Sequence, residues 1–442
     1  MKSPAEETAS GNSSPLSGKF LEHATLGHLG ALLILASWGF GGNAPWSRLA
    51  VAGWGSLGIL LCLAGGLGRG REGRQRLVRW LWPFALFNLL VLASTLNPTM
   101  RALTLDGSVL FAKTGGHAHV PGSARPSLTL SALWLFDAMF LSCFNLAMFV
   151  RRRRFLRVFL LVVAVNALAL AVFGTLQKLT RAPGLFFGLV PSPQQRFFAS
   201  FIYHNHWGAF TLLMTALCLG LVAHYALRSP RGFWQSPAFV GLVAVFFLAA
   251  SIPLSGSRSC TALVLVLFVG AFLHWVVHVL RRNAAQSRSR LRTLTAGCLA
   301  LAVAVGLAYQ LAEPVIEQRL ATTREQLVVM RAQGGIGSRA VLYRDTWHMA
   351  RDRLLFGWGM ASYPSVFYIY NTQTSPADRL PVFYYDAHSD WLQSLAELGV
   401  IGTLLLGLHA LIPLLSLRRR PRGLAAYLLA GCALVLLYAW VE

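Results

Sequence analysis

Three side chains in this sequence could serve one reaction: His388, Arg258 and Arg339. Histidine accepts or gives a proton near neutral pH. Arginine keeps its charge and offers a planar fork that suits phosphate. Two such forks beside helix N-termini suit a diphosphate held without a metal ion. No carboxylate cluster of the kind Mg²⁺ needs stands near them, so neither a metal nor another cofactor is expected. His388 opens the stretch Ala387-His388-Ser389-Asp390-Trp391-Leu392-Gln393, which runs into an apolar segment through Thr403. Asp390 is placed to cap a helix there, and Gln393 completes a box-like arrangement. Gln393 and Glu397 are four apart and share a helix face. A charged carboxylate at a bilayer centre costs roughly 2.5–3.5 kcal/mol, so Glu397 is expected to face protein or water.

The two arginines need helix starts of their own. Arg258 lies in Ser255-Gly256-Ser257-Arg258-Ser259, a very short connection between apolar runs. Ser257 or Ser259 can cap the helix that follows. Arg339 follows Gly334-Gly335-Ile336-Gly337-Ser338, a glycine-rich approach to a serine cap that would let phosphates near the backbone. No Gly-Lys-Ser/Thr follows, so this is not a P-loop. Tyr343, Trp347, Ala350 and Leu354 recur at helical spacing and predict an apolar stripe, with Arg344, His348 and Arg351 beside it. The helix should end near Arg353, before Gly357 and Gly359. Earlier, Tyr203-His204-Asn205-His206 precedes another apolar run, and Asn205 can cap it or contact substrate. His117 and His119 sit two apart in a polar loop without a nearby carboxylate or cysteine, which reads as solvated loop.

Composition fixes the setting for these sites. The chain is 55% hydrophobic and 12% charged, with mean hydropathy +0.55. Apolar runs near 20 residues predict an all-α polytopic membrane bundle. Eleven spans are expected, at about 26–43, 49–66, 80–96, 131–150, 155–174, 206–227, 236–254, 260–280, 293–312, 391–416 and 424–441. The net charge of +23 comes largely from arginine clusters between these runs, which argues for membrane orientation and against nucleic acid. The short connections at 69–79, 151–157, 228–231, 281–292 and 418–422 hold 21 arginines, against 8 Lys and Arg in the opposite set. The first set, with the N-terminus, is therefore expected in the cytoplasm, and the 313–388 loop on the far side. Residues 1–24 are polar and read as a cytoplasmic tail without a signal-peptide pattern. The six cysteines lie in or at the ends of apolar runs without zinc spacing, as small buried hydrophobes do. The organisation expected is a tail to residue 24, nine spans over 25–312, a loop over 313–388, and two spans over 389–442.

From about residue 160 to 440 the chain resembles the O-antigen ligase family of bacterial membrane glycosyltransferases. The resemblance rests on His388-Ser389, nine residues, Gly399, and Thr403 four residues on. It also rests on the order of Arg258 before a mid-chain span, Arg339 early in a large loop, and His388 after it. The resemblance implies a GT-C-like bundle of about a dozen spans in the inner membrane, so a further helix beyond Glu442 is expected. It implies a donor glycan on undecaprenyl diphosphate, used at the periplasmic face. The acceptor hydroxyl would belong to lipid A–core, a growing polysaccharide or a protein. Arg258 and Arg339 would act on the diphosphate, and His388 on the acceptor or the leaving phosphate. Arg344, Asn205, Tyr385, Glu397 and Gln393 are the substrate-binding candidates, with Tyr384 and Tyr385 able to stack on sugars and Asp386 or Glu397 able to orient His388. Two other classes are weighed. A transporter predicts broken helices and mid-membrane charges. A structural or sensing protein predicts that His388 is replaceable.

Overall fold

The computed structural model describes residues 15–67, 71–105, 108–114, 117, 119–194, 196–226, 235–282, 338–375, 379–415 and 423–440, with scattered positions between 291 and 324. Helices dominate it. They are α1 (Pro15–Trp38), α2 (Pro45–Leu67), α3 (Arg71–Thr95), α4 (Pro126–Phe149), α5 (Arg153–Leu179), α6 (His204–Ala226), α7 (Pro237–Ser255) and α8 (Arg258–Arg282). Then follow a shorter α9 (Leu294–Leu307), α10 (Ser338–Asp352), α11 (Tyr363–Val366), α12 (Asp390–Leu415) and α13 (Leu424–Tyr438). Among the described residues, nine helices are long and apolar enough to cross a membrane, namely α1 to α8 and α12; α9 and α13 are shorter apolar helices. Many large apolar side chains on them are exposed, as on Leu265, Val269 and Leu273 of α8. Helices apolar all round belong in lipid. The all-α polytopic reading holds; nine of the expected spans have a helix long enough to cross, and those expected at 293–312 and 424–441 have shorter apolar helices among the described residues.

Two details differ from expectation at the N-terminal side. α1 begins at Pro15, inside the expected tail, and Glu22 on it is buried. Its carboxylate accepts from the Arg151 N–H at 3.0 Å and pairs with Arg152 at 3.5 Å. The connection after α3 is not featureless either. An antiparallel hairpin, β1 (Met100–Leu105) with β2 (Ser108–Lys113), runs in register from Met100 opposite Lys113 to Leu105 opposite Ser108.

The core of the bundle forms around Trp207 on α6, fully buried. Phe198 stacks on it at 4.8 Å, and its indole N–H donates to Ser251 Oγ on α7 at 3.2 Å. α6 also packs along α13, antiparallel to it. Gly220 near the end of α6 meets Leu424 and Tyr427, whereas Gly431 meets Ala216 and Leu213. At the far end of α13, Tyr438 clusters with Leu212 of α6 and with Cys260 and Val264 of α8. The starts of α6 and α8 touch directly: a Cβ on Gly208 would lie 2.9 Å from Ser257 Oγ and 2.8 Å from Cys260 Sγ. α12 begins beside the end of α13, where the Asp390 N–H donates to the Ala439 carbonyl at 2.8 Å. The Trp391 indole N–H reaches the Leu436 carbonyl at 3.1 Å. The first turns of α6, α8 and α12 therefore lie at one end of the bundle.

A second layer covers that end. The hairpin docks on the segment after α11: Tyr368 donates to the Phe111 carbonyl, and Lys113 donates to Tyr370 Oη at 3.1 Å. The Ala124 N–H donates to the Trp358 carbonyl at 2.7 Å. In α10 the inward face is one step round from the predicted stripe. Leu342, Asp345, Thr346, Met349 and Ala350 are buried, whereas Trp347 and Leu354 are exposed. Asp345 turns inward because its Oδ2 accepts from both the N–H and the hydroxyl of Thr372, at 2.9 and 2.7 Å.

Candidate active site

His388 stands just before α12, with φ +53, in the left-handed region that a side chain other than glycine rarely adopts. Such strain persists only where surrounding contacts hold it. Here the contact is with α10: the Tyr343 hydroxyl donates to the His388 carbonyl at 2.8 Å. The imidazole is half-buried and stands edge-on to Tyr384, centroids 6.5 Å apart. Tyr384 donates to Gln373 Oε1 at 3.1 Å, and burial raises its pKa, so it stays protonated as a donor.

The helix start is built differently from the expected box. α12 begins at Asp390, and the Gln393 N–H donates to the Ser389 carbonyl at 2.9 Å, which makes Ser389 the cap residue. Gln393 still reaches back, its Oε1 accepting from the Ala387 N–H at 3.0 Å. That bond spans His388 and fixes the chain on both sides of it. Gln393 Nε2 donates to Glu397 Oε1 at 3.3 Å.

Glu397 is buried, as expected of a carboxylate on this helix, and besides Gln393 its partners are backbone. Oε2 accepts from the Ala361 N–H at 2.7 Å and Oε1 from the Tyr363 N–H at 3.0 Å. These contacts make Glu397 the anchor of the turn at 361–363 rather than a group presented to substrate. Two residues on, α12 breaks. Gly399 has φ +64 and ψ −174, a region open essentially to glycine alone. The groups released from the helix ladder are taken by the segment after α10. Trp358 and Gly359 N–H donate to the Ala396 and Glu397 carbonyls at 3.0 and 2.8 Å. In return, Val400 and Ile401 N–H donate to the Leu354 and Leu355 carbonyls at 2.8 and 3.2 Å. Two backbones can approach this closely only without side chains between them. A Cβ on Gly357 would lie 2.3 Å from the Glu397 carbonyl carbon, and one on Gly399 would lie 2.4 Å from that of Leu355. Thr403, the last residue of the motif, has its hydroxyl buried without a hydrogen-bond partner among the described residues.

Arg339 lies in the first turn of α10, exposed, one turn before Tyr343. Gly334 to Gly337, the expected glycine-rich approach, lie outside the described residues. Arg258 is the first residue of α8 and is exposed. The expected hydroxyl cap is absent there, because Ser257 Oγ is buried without a hydrogen-bond partner among the described residues. Instead the Ser257 carbonyl accepts from Thr261, from its N–H at 3.1 Å and its hydroxyl at 2.6 Å. Asn205 sits inside the first turn of α6 rather than capping it, and donates to Tyr203 Oη at 3.0 Å. Arg344 is bonded to Asp345 at 3.3 Å and to Thr372 Oγ1 at 3.2 Å. It lines an open cavity of about 490 Å³ with His348, Asp352, Tyr370 and Thr372. Tyr385 is 72% exposed, with Phe383 edge-on at 4.7 Å.

A chain of contacts joins the three principal residues. Tyr343 links the start of α10 to His388. Asp390 links the start of α12 to the end of α13, and Tyr438 there packs with Cys260 in the first turn of α8. Arg339, His388 and Arg258 each stand within four residues of a link. Sequence reasoning missed the Tyr343 hydroxyl, which it placed in an apolar stripe, and the pairing of Gly357 with Gly399. Only the glycines themselves could have signalled the latter.

No curated protein matches the chain. Residues 243–407 match the family described as O-antigen ligase, a segment that contains Arg258, Arg339, Arg344, His388, Gln393, Glu397, Gly399 and Thr403 and leaves out Asn205. Over residues 243–407 the match supports an assignment to the O-antigen ligase family, and the nine long apolar helices agree with it.

Proposed function

We propose that the protein transfers a glycan from a polyprenyl diphosphate, of the undecaprenyl type, to an acceptor hydroxyl at the periplasmic face of the inner membrane. The acceptor oxygen attacks the anomeric carbon of the donor sugar. The bond from that carbon to the diphosphate oxygen breaks, and the lipid diphosphate leaves with the electron pair. His388 takes the acceptor proton, an effect worth roughly 10²–10⁴-fold in general base catalysis. Arg258 and Arg339 stabilise the charge that grows on the diphosphate, which removes the need for a metal ion. Tyr343 and Gln393 are positioning residues, since they hold the main chain on either side of His388.

The observation that carries this reading is the contact chain from α10 through His388 to the start of α8, at one end of an apolar bundle. Two cations and a titratable group, each at a helix start linked by that contact chain, suit chemistry on a membrane-borne diphosphate. The family match supports the same reaction class. Transfer to lipid A–core, to a growing polysaccharide and to a protein hydroxyl differ only in the acceptor. Single replacement of His388, Arg258 and Arg339 by alanine tests the reading in cells that display the glycan. Transfer should be lost at normal protein level while lipid-linked donor accumulates. Retained transfer in all three variants would overturn it. With purified protein, a chelator should leave turnover unchanged.

A further inference from the structure

The connection from α5 to α6 carries a second cationic site that the reaction above does not use. Its cavity, of about 560 Å³, is lined by Lys178, Arg181, Ser192, Gln194 and Phe197, among others. Lys178 is in the last turn of α5, and its ammonium lies 4.7 Å from the centre of the Phe197 ring. Neither Lys178 nor Arg181 has a carboxylate partner among the described residues. The walls are built, not incidental. The Ala182 N–H donates to the Gln177 carbonyl at 3.0 Å. The buried Gln177 amide, turned to suit its neighbours, donates to the Ala199 carbonyl at 3.0 Å and accepts from the Phe186 N–H at 2.9 Å. On the other wall the Ser192 hydroxyl donates to the Gln194 carbonyl at 2.7 Å.

Around this hollow the surface is apolar and open. Leu176, Leu179, Phe187 and Leu189 are all exposed, Leu189 by 85%. α5 is 27 residues long, so Lys178 lies at the end of a full membrane crossing. It is the end opposite Arg152 and Glu22, and the end at which α6 begins. A simple snorkelling lysine would carry its head out to water. This one is held over an aromatic ring inside a walled cavity, with a second cation beside it.

We propose that this hollow binds the phosphate of a phosphorylated lipid, its acyl chains lying along Leu176, Leu179 and Leu189. The binding claim stands on the cavity alone. That the lipid is the acceptor of glycan transfer rests on the proposed function, and the loop supports it by leading from Phe197 through Phe198 and Phe201, packed on Trp207, to Asn205. Two sources share this chemistry: bulk anionic phospholipid and a phosphorylated glycolipid.

The test uses the full chain, purified in phosphatidylcholine nanodiscs and titrated with phosphatidylglycerol and with diphosphoryl lipid A, bound lipid being read by native mass spectrometry. The wild type should retain at least one of the two probes over phosphatidylcholine. Lys178→Gln with Arg181→Gln should weaken that retention by roughly tenfold or more. Arg101→Gln, on the hairpin, should not. Equal retention by the double variant and wild type would overturn the site, as would no preference over phosphatidylcholine in the wild type. Should the double variant not fold, Arg181→Gln alone alters an exposed side chain and must weaken retention in the same direction; no change would count against the site. Selective lipid A retention, lost together with glycan transfer in the double variant, identifies the acceptor; phosphatidylglycerol retention lost with transfer intact identifies bulk lipid. His388→Ala separates the two claims, since it should lose transfer and keep lipid retention.

Discussion

At the residue scale, the main chain around His388 is held on both sides. Its carbonyl is fixed by Tyr343 and the preceding N–H by Gln393. Tyr343→Phe keeps the ring and removes one hydrogen bond, worth about 1 kcal/mol. Glycan transfer should fall by roughly fivefold in kcat at unchanged protein level; an unchanged rate would show that the bond does not position the histidine. Glu397 has a heavier role. Gln at this position carries one carbonyl oxygen and one NH₂, so it cannot accept from Ala361 and Tyr363 at both ends. Leaving one of these N–H groups unsatisfied in a buried turn costs about 1–3 kcal/mol. Thermal melting of Glu397→Gln in detergent should show a clear drop in Tm, and Glu397→Asp a smaller one. An unchanged Tm in Glu397→Gln would mean that the turn finds other partners.

At the element scale, the broken helix decides the architecture of the site. Lipid offers no hydrogen bonds, so a helix that breaks near the bilayer must be mended by protein. The segment 354–359 supplies that mending, two bonds in each direction. Gly399→Ala would place a Cβ 2.4 Å from a main-chain carbon at a φ and ψ that alanine avoids. Several kcal/mol of destabilisation is expected, read as loss of folded protein on size-exclusion chromatography. Gly407→Ala in the same helix meets nothing within 4 Å and should fold normally. The contrast between the two glycines matters, since equal behaviour would refute the interlock. This scale also shows what the sequence carries. Spans were legible because lipid demands long apolar runs, and α10 was legible in extent from its glycine stop. Its inward face was not, because the buried Asp345 answers to Thr372, a partner 27 residues away. The hairpin was hidden for a similar reason: its stabilising contacts lie across the fold at Tyr368 and Tyr370. The motif spacing announced His388 and Gly399 but not that the glycine serves a backbone contact.

At the scale of the whole molecule, the arginine cluster at 151–157 and the site lie at opposite ends of the helices. Glu22 and Arg152 mark one end; His388 and Arg258 mark the other. Topology follows from this as a prediction. In a background without native cysteines, Tyr385→Cys should react with a membrane-impermeant maleimide added to spheroplasts, and Arg153→Cys only after lysis. The reverse pattern would invert the orientation and remove the proposed donor supply. The interlock at Gly357 and Gly399 has one more bearing on how such proteins diversify. The bonds that join residues 354–359 to 396–401 are main-chain ones, and main-chain ties are indifferent to most of what the sequence between them contains. Doubling the length of such a segment costs only about 0.6 kcal/mol of closure entropy. New recognition surfaces around His388 can therefore be grafted, lengthened or exchanged as a cassette while the knot that holds the membrane helix stays as it is.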